Sequence, residues 1–334
     1  MGSMREPMSK RGWQAATIGT TAFMLTTIGA AAAETPGAWS AVERDGRVEA
    51  TCGNQLMLAW QVAPMAHPAG GEKFAAASAF LHPLCTPSGF VCTTVQPPDH
   101  LHHLGLWWPW KFVEVDGKRY NTWEMQEGQG THVGRTAKQL SGGPDKLEWE
   151  FSNDTVIRPA DGPQATVIHE TAKVTLGSQG KDVNVIDVAI SQQAADKPVT
   201  IVNYTYSGFS WRGPASWNKD NSTMTTSEGL GREQANGNPA RWVMVSGPTP
   251  AGSATVLLMS AAADLAGTPE RLRVWDAKKG NGTPFVNFNP VLDKALPLDG
   301  GHPAVSNMKY RVLAADRTLD ATEAETEWRK WLGK

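Results

Sequence analysis

Period-two alternation is the feature that most limits what this chain can become. Leu147, Trp149 and Phe151 alternate with Lys146, Glu148 and Glu150, and Val183 and Val185 alternate with Asp182 and Asn184. Successive side chains of a strand point to opposite faces, so this pattern buries one face of a sheet and wets the other. The run Val199-Thr-Ile-Val-Asn-Tyr-Thr-Tyr206 is β-branched and aromatic nearly throughout, a composition that fits a pleated surface. Asp116-Gly117, between residues 112–115 and 118–123, predicts a two-residue hairpin. Gly142-Gly143-Pro144, Asp161-Gly162-Pro163 and the stretch from Gly177 to Gly180 break the later runs. Many strands at this spacing predict an all-β fold, a large antiparallel β-sandwich.

One helix is expected, at residues 321–332. Asp320 and Glu323 form a capping-box pattern, and Ala324, Trp328, Trp331 and Leu332 make an apolar stripe that would pack on a sheet. Residues 207–240 are rich in Gly, Asn, Ser and Thr with little strand pattern. They read as a long functional loop, with Trp217 and Glu228 within it and Arg241 at its edge.

At the other end, Lys10-Arg11 precedes an uncharged stretch, Ala15 to Ala33, that closes on Ala31-Ala32-Ala33. A positive region, an uncharged core and a small-residue cleavage site predict a secretory signal peptide over residues 1–33. A single sandwich domain over 34–334 is then expected in the periplasm or secreted. No later stretch is long and apolar enough to span a bilayer. A formal net charge of −2 gives no basic footprint for nucleic acid. Three cysteines are present, and Cys85 and Cys92 flank a Pro-Ser-Gly turn. In an oxidising compartment this predicts a cross-strand disulfide between them, with Cys52 left free and buried in its strand.

Chemistry concentrates between His100 and His132. Pro97-Pro98-Asp99-His100-Leu101-His102-His103 is followed by Trp107, Trp108, Trp110 and Trp123. In an extended segment His100 and His102 face the same side, a workable pair of metal ligands, with His132, Glu124 or Glu127 as a third. His102, His103, Glu127 and His132 are equally candidates for metal-free acid–base catalysis. Hydrogen bonding of the imidazoles inside a turn is the remaining reading. Indole faces stack on the C–H faces of sugar rings, so Trp107, Trp123 and Trp217, with Glu228 and Arg241, are candidate contacts to a small neutral carbohydrate or glycoside.

These residues resemble a family of exported bacterial proteins labelled "methane oxygenase PmoA". Three blocks carry the resemblance. They are Ser78–Leu84 through Pro97-Pro-Asp-His-Leu-His-His-Leu-Gly-Leu-Trp107, Trp217 through Ser227-Glu-Gly229 to Val243, and Lys309-Tyr-Arg-Val-Leu313 leading into the final helix. Leu104 stands where the family's pattern has Arg or Lys, and a His-Pro segment expected after Met259 is missing. A membrane oxygenase subunit needs spanning segments, which this chain lacks beyond its leader. The resemblance implies instead a sandwich similar to the sugar mutarotases and a place in carbohydrate metabolism.

The combined expectation is an exported lyase or hydrolase acting on small glycosides or their keto derivatives by His/Glu acid–base chemistry, with or without a divalent metal. A sugar-binding protein without turnover and a metal-dependent oxidoreductase are the alternatives.

Overall fold

The structure, a computed structural model, describes residues 37–66, 76–261, 269–299 and 305–334. The expected leader at residues 1–33, and two isolated histidines, His67 and His302, lie outside these residues.

The alternating pattern becomes twenty strands among the described residues. The first five are β1 (Trp39–Arg44), β2 (Arg47–Cys52), β3 (Gln55–Gln61), β4 (Phe80–Leu84) and β5 (Leu106–Trp107). A hairpin follows, β6 (Phe112–Val115) and β7 (Lys118–Asn121), turned by Asp116 and Gly117, which have φ of 51° and 73°. Positive φ at both turn residues is what a two-residue hairpin needs, as Asp-Gly predicts. Four long strands come next, β8 (Gly130–Gly142), β9 (Lys146–Ile157), β10 (Ala165–Gln179) and β11 (Val183–Ala194). The chain continues through β12 (Val199–Ile201), β13 (Phe209–Arg212), β14 (Thr223–Thr226), β15 (Trp242–Thr249) and β16 (Gly252–Ser260). It closes with β17 (Arg271–Val274), β18 (Phe285–Asn289), β19 (Leu296–Leu298), β20 (Val305–Ala315) and the helix α1 (Ala321–Leu332).

Pairing is antiparallel throughout. One eight-stranded sheet runs β1-β2-β3-β4-β5-β13-β18-β17, a second runs β14-β15-β16-β20-β11-β10-β9-β8, and a four-stranded sheet runs β19-β12-β6-β7. The two large sheets face each other across one apolar core. Trp60 of β3 stacks on Phe151 of β9 at 4.3 Å, and Phe209 of β13 on Tyr310 of β20 at 4.0 Å, so each pair bridges the layers. The protein is an all-β sandwich with one short C-terminal helix.

That helix starts where the capping box predicts. Asp320 accepts from the backbone N–H of Thr322 and Glu323, and Glu323 reaches back to the N–H of Asp320. Ala324, Trp328 and Trp331 then cover the outer face of the second sheet at Trp242, Leu257, Met259 and Leu313.

Four expectations change. The expected 207–240 loop contains two strands, and β13 lies in the middle of the first sheet between β5 and β18. All four of its residues are buried, so no alternation marks it. The run beginning at Val199 leaves its sheet after Ile201, and Tyr204 is exposed. Cys85 and Cys92 are separate buried thiols, because Cys85 pairs across its bridge with Val91 rather than with Cys92. Cys52 is a free thiol as expected, but half-buried, and it donates to the Gly37 carbonyl oxygen.

Candidate functional site

Alternation along the first sheet sends one set of side chains into the sandwich and the other outward. Leu106 and Val286 enter the main core, whereas their neighbours Trp107 and Phe285 join Phe80, Trp123, Met125 and Trp275 in a separate cluster. The histidines sit on this outer cluster.

The segment that carries them is a closed loop of two successive turns, not an extended strand. A bridge between Val95 and Leu104 and a 2.6 Å bond from Gln96 N–H to the His103 carbonyl pinch its base. His100 N–H donates to the Pro97 carbonyl and His103 N–H to that of His100. Gly105, at φ 80°, then lets the chain enter β5, and a Cβ there would stand 2.6 Å from the Leu81 carbonyl oxygen. The turns override the two-residue period, and all three rings meet. Their centroids lie 5.4 Å apart for His100 and His102, 4.7 Å for His100 and His103, and 4.9 Å for His102 and His103.

His103 is the buried member. It stacks on Phe285 at 4.9 Å, and Arg212 Nη1 approaches its Nδ1 at 3.4 Å. Guanidinium only donates, so Nδ1 is unprotonated and the ring is neutral. Burial, followed by the charges of His102 and Arg212, pushes its pKa well below the ordinary histidine value. Arg212, anchored on β13, also lies over the Trp275 ring at 4.5 Å and pairs with Asp99 at 3.1 Å. Asp99 in turn holds His100 Nδ1 at 2.9 Å.

His102 is half-buried. Burial lowers its pKa to about 4, even though Glu124 nearby favours the charged form. Gln126 Nε2 lies 3.4 Å from His102 Nδ1. With that amide donating, the proton of the neutral ring is on Nε2. Glu124 pairs with the buried Lys111. Burial opposes its ionisation, but hydrogen bonds from Lys111 and Asn121 outweigh that and hold its pKa below the ordinary glutamate value.

A ring of aromatic and basic side chains, the cup, surrounds the three histidines. His102 meets Trp123 at 6.4 Å, Trp123 meets Tyr206 at 5.8 Å, and Lys279 lies over both Tyr206 and Trp275. Trp275 returns to His100 at 4.7 Å, with Phe285 touching His103, Trp275 and Tyr206. Tyr206, Arg212, Trp275 and Lys279 carry no local sequence signal. They converge only because β13, β18 and β17 are neighbours in the sheet.

Other expected site residues take different places. His132 lines a small cavity together with His102, Trp107 and Trp123, but its ring is buried and its Nε2 faces Glu170 inside the sandwich. Glu127 is exposed on a turn and accepts from Asn121, leaving Glu124 as the carboxylate beside His102. Trp217 is fully buried and donates to the Pro248 carbonyl, a core residue rather than a ligand contact. Glu228 and Arg241 pair with each other at 3.1 Å, and Arg241 also binds Glu325 of α1. Trp108 and Trp110 belong to the main core, and Trp107 and Trp123 are buried in the second cluster beneath the histidines, so neither expected sugar-stacking indole presents an open face. His100 and His102 remain the pair a metal would use, although among the described residues no group of three or more His, Cys, Asp or Glu is arranged to hold an ion.

A roomier cleft of about 370 Å³ lies elsewhere, lined by residues such as Val115, Tyr120, Val167 and Lys197. Its Asp116 and Lys197 neutralise each other in the open at 2.6 Å. The cup is the better candidate, because it gathers ionisable groups whose charge states burial and partners have shifted.

Residues 47–329 match the family of unknown function DUF6807, and the chain belongs to it. No curated protein matches the chain. Among solved structures, the chain is similar to a GalM/aldose epimerase homologue from C. elegans. The identity is 8%, the match covers 84% of this chain and 98% of that one, and the TM-score is 0.37. No helix among the described residues is long and apolar enough to cross a membrane.

Proposed function

We propose that this DUF6807 member is an exported carbohydrate-active enzyme that takes a small neutral glycoside, or its keto derivative, into the histidine cup and cleaves the glycosidic bond by proton transfer. The observation that carries the reading is an uncharged imidazole, His102, half-buried beside the half-buried Glu124 carboxylate. The shifted groups offer proton donors and acceptors to a substrate.

The pKa of His102 redefines its role. An imidazole whose conjugate acid has a pKa of about 4 is a weak base at neutral pH, but its Nε2–H remains a good donor to a substrate oxygen. In a keto-glycoside, loss of the proton beside the carbonyl gives an enolate whose oxygen this N–H stabilises. The enolate then expels the glycosidic oxygen from the adjacent carbon, and a proton delivered to that oxygen completes the cleavage.

Incubation of the purified protein with simple glycosides and their keto derivatives, read by mass spectrometry, tests the proposal. Elimination leaves an unsaturated sugar, and hydrolysis adds the mass of water. His102→Ala should abolish turnover with the fold intact. Binding of the sugars without any mass change would instead make this a sugar-binding protein.

A further inference from the structure

The cup holds two cations that do not end on a carboxylate. Lys279 Nζ donates to Tyr206 Oη at 2.6 Å, and Arg273 Nη2 donates to the same oxygen at 2.8 Å. Both charges also lie over the Tyr206 ring, at 5.2 Å and 4.8 Å. The other bonds of Arg273 go to neutral oxygens, those of Asn236 and Val274. Among the described residues neither cation forms a salt bridge; Asp276, the acid on the same turn, accepts the backbone N–H groups of Lys278 and Lys279 on one oxygen and reaches Arg273 only through its charge. Two positive charges meet on one phenol oxygen, half-buried against Trp123 and Phe285, and no carboxylate pairs with either at contact distance. Both charges favour loss of the phenolic proton.

We infer that Tyr206 is the proton-transfer residue of the cup, acting as a phenolate held by Lys279 and Arg273. The inference rests on the glycoside-cleaving reading above and gives it the base that a weakly basic His102 leaves missing. The phenolate oxygen removes the proton from the carbon beside the keto group, and the C–H electron pair becomes the enolate. As the enolate collapses, the carbon–carbon double bond forms and the glycosidic C–O bond breaks. The departing oxygen takes the same proton back from Tyr206, which restores the phenolate. No external oxidant, reductant or co-reactant enters, and the substrate class narrows to glycosides bearing a carbonyl one carbon removed from the glycosidic carbon. Burial opposes ionisation of Tyr206, but hydrogen bonds from Lys279 and then Arg273 overcome it, leaving its pKa below the ordinary tyrosine value.

The chain has four tyrosines, so ultraviolet titration of tyrosinate resolves a single unusual one. The intact wild-type protein should show one tyrosine that ionises below the ordinary value of about 10 and is already tyrosinate at the pH of turnover. That transition should vanish in Tyr206→Phe and move upward in Lys279→Met. Tyr206→Phe should keep the fold by circular dichroism and the affinity for a keto-glycoside, but lose at least a hundredfold in kcat. An unchanged titration in Tyr206→Phe, or wild-type turnover by it, would overturn the inference. If wild-type protein cleaves no glycoside, the proposed activity falls, and a missing low-titrating tyrosine would separately remove Tyr206 as an ionised group.

Discussion

Nε2 of His132 stands 3.4 Å from Oε1 of Glu170, inside the sandwich and directly behind the wall of the cup. Glu170 is fully buried, and Trp108, Asn153 and Gln192 all donate to it, at 2.9, 2.7 and 2.6 Å. The Gln192 side-chain oxygen, Oε1, accepts from the Trp110 indole N–H in turn. This network accounts for two of the four clustered tryptophans: their indole N–H groups need acceptors, and Glu170 and Gln192 supply them.

Removing Glu170 strands those donors. Glu170→Ala should destabilise the protein by about 3–5 kcal/mol in a urea melt, the cost of leaving buried polar groups unpaired together with the lost volume. Burial raises the pKa of this carboxyl, but the His132 charge and the hydrogen bonds lower it further, so it is held below the ordinary glutamate value. Its contribution is therefore complete above the ordinary glutamate range and is lost as the pH falls toward the depressed native pKa. Glu170→Gln should flatten this part of the acid limb.

A second acid-sensitive contribution comes from the histidines. Burial lowers the pKa of both His82 and His102 to about 4, so the unfolded chain binds protons that the native state refuses. Stability should fall as the pH drops from the ordinary histidine value of about 6.5 toward 4, by on the order of a few kcal/mol for the two together. Proton NMR titration of the imidazoles checks this directly. A His102 ring that titrates near 6.5 would contradict its neutral role.

Trp217 separates packing from recognition. Its indole lies against Gly247, where an added Cβ would stand 2.6 Å from the ring. Trp217→Ala should cost about 3–5 kcal/mol of stability. Gly247→Ala should destabilise as well, because the indole has no room to retreat. Neither change should selectively weaken sugar binding, as titration of folded protein at low temperature would show.

The thiols make a simple prediction. Burial pushes the Cys85 pKa to about 11 and that of Cys92 well above the ordinary thiol value. Native protein should leave both unmodified by a thiol reagent, whereas denatured, unreduced protein should titrate all three cysteines. A denatured count of one would show a disulfide.

The helix cap offers a graded check. Asp320→Ala removes the acceptor for two backbone N–H groups of α1 and should cost about 1 kcal/mol in a thermal or urea melt, with the cup untouched.

What could be read from the residues alone follows a physical division. The long strands β9 to β11 alternate because one face is wet, and Asp116-Gly117 and Asp320–Glu323 carry their geometry in local chemistry. β13 was hidden because both its faces are buried. His100, His102 and His103 announce a site by composition, but their mutual approach depends on two turns and the Val95–Leu104 bridge. Arg212 and His103 are 109 positions apart, and Tyr206 and Lys279 are 73 apart. No local pattern links such partners, since only the sheet order makes them neighbours. Trp217 misled because tryptophan suits a core as well as it suits a sugar.

Leu106 and Trp107 on β5, and Phe285 and Val286 on β18, divide each strand between the inner core and the outer cup. Even positions of both strands therefore hold the two large sheets together, while odd positions build the apolar floor on which the histidine loop rests. A one-residue slip of either strand would exchange the two sets, driving main-core side chains into the outer cluster in a single step.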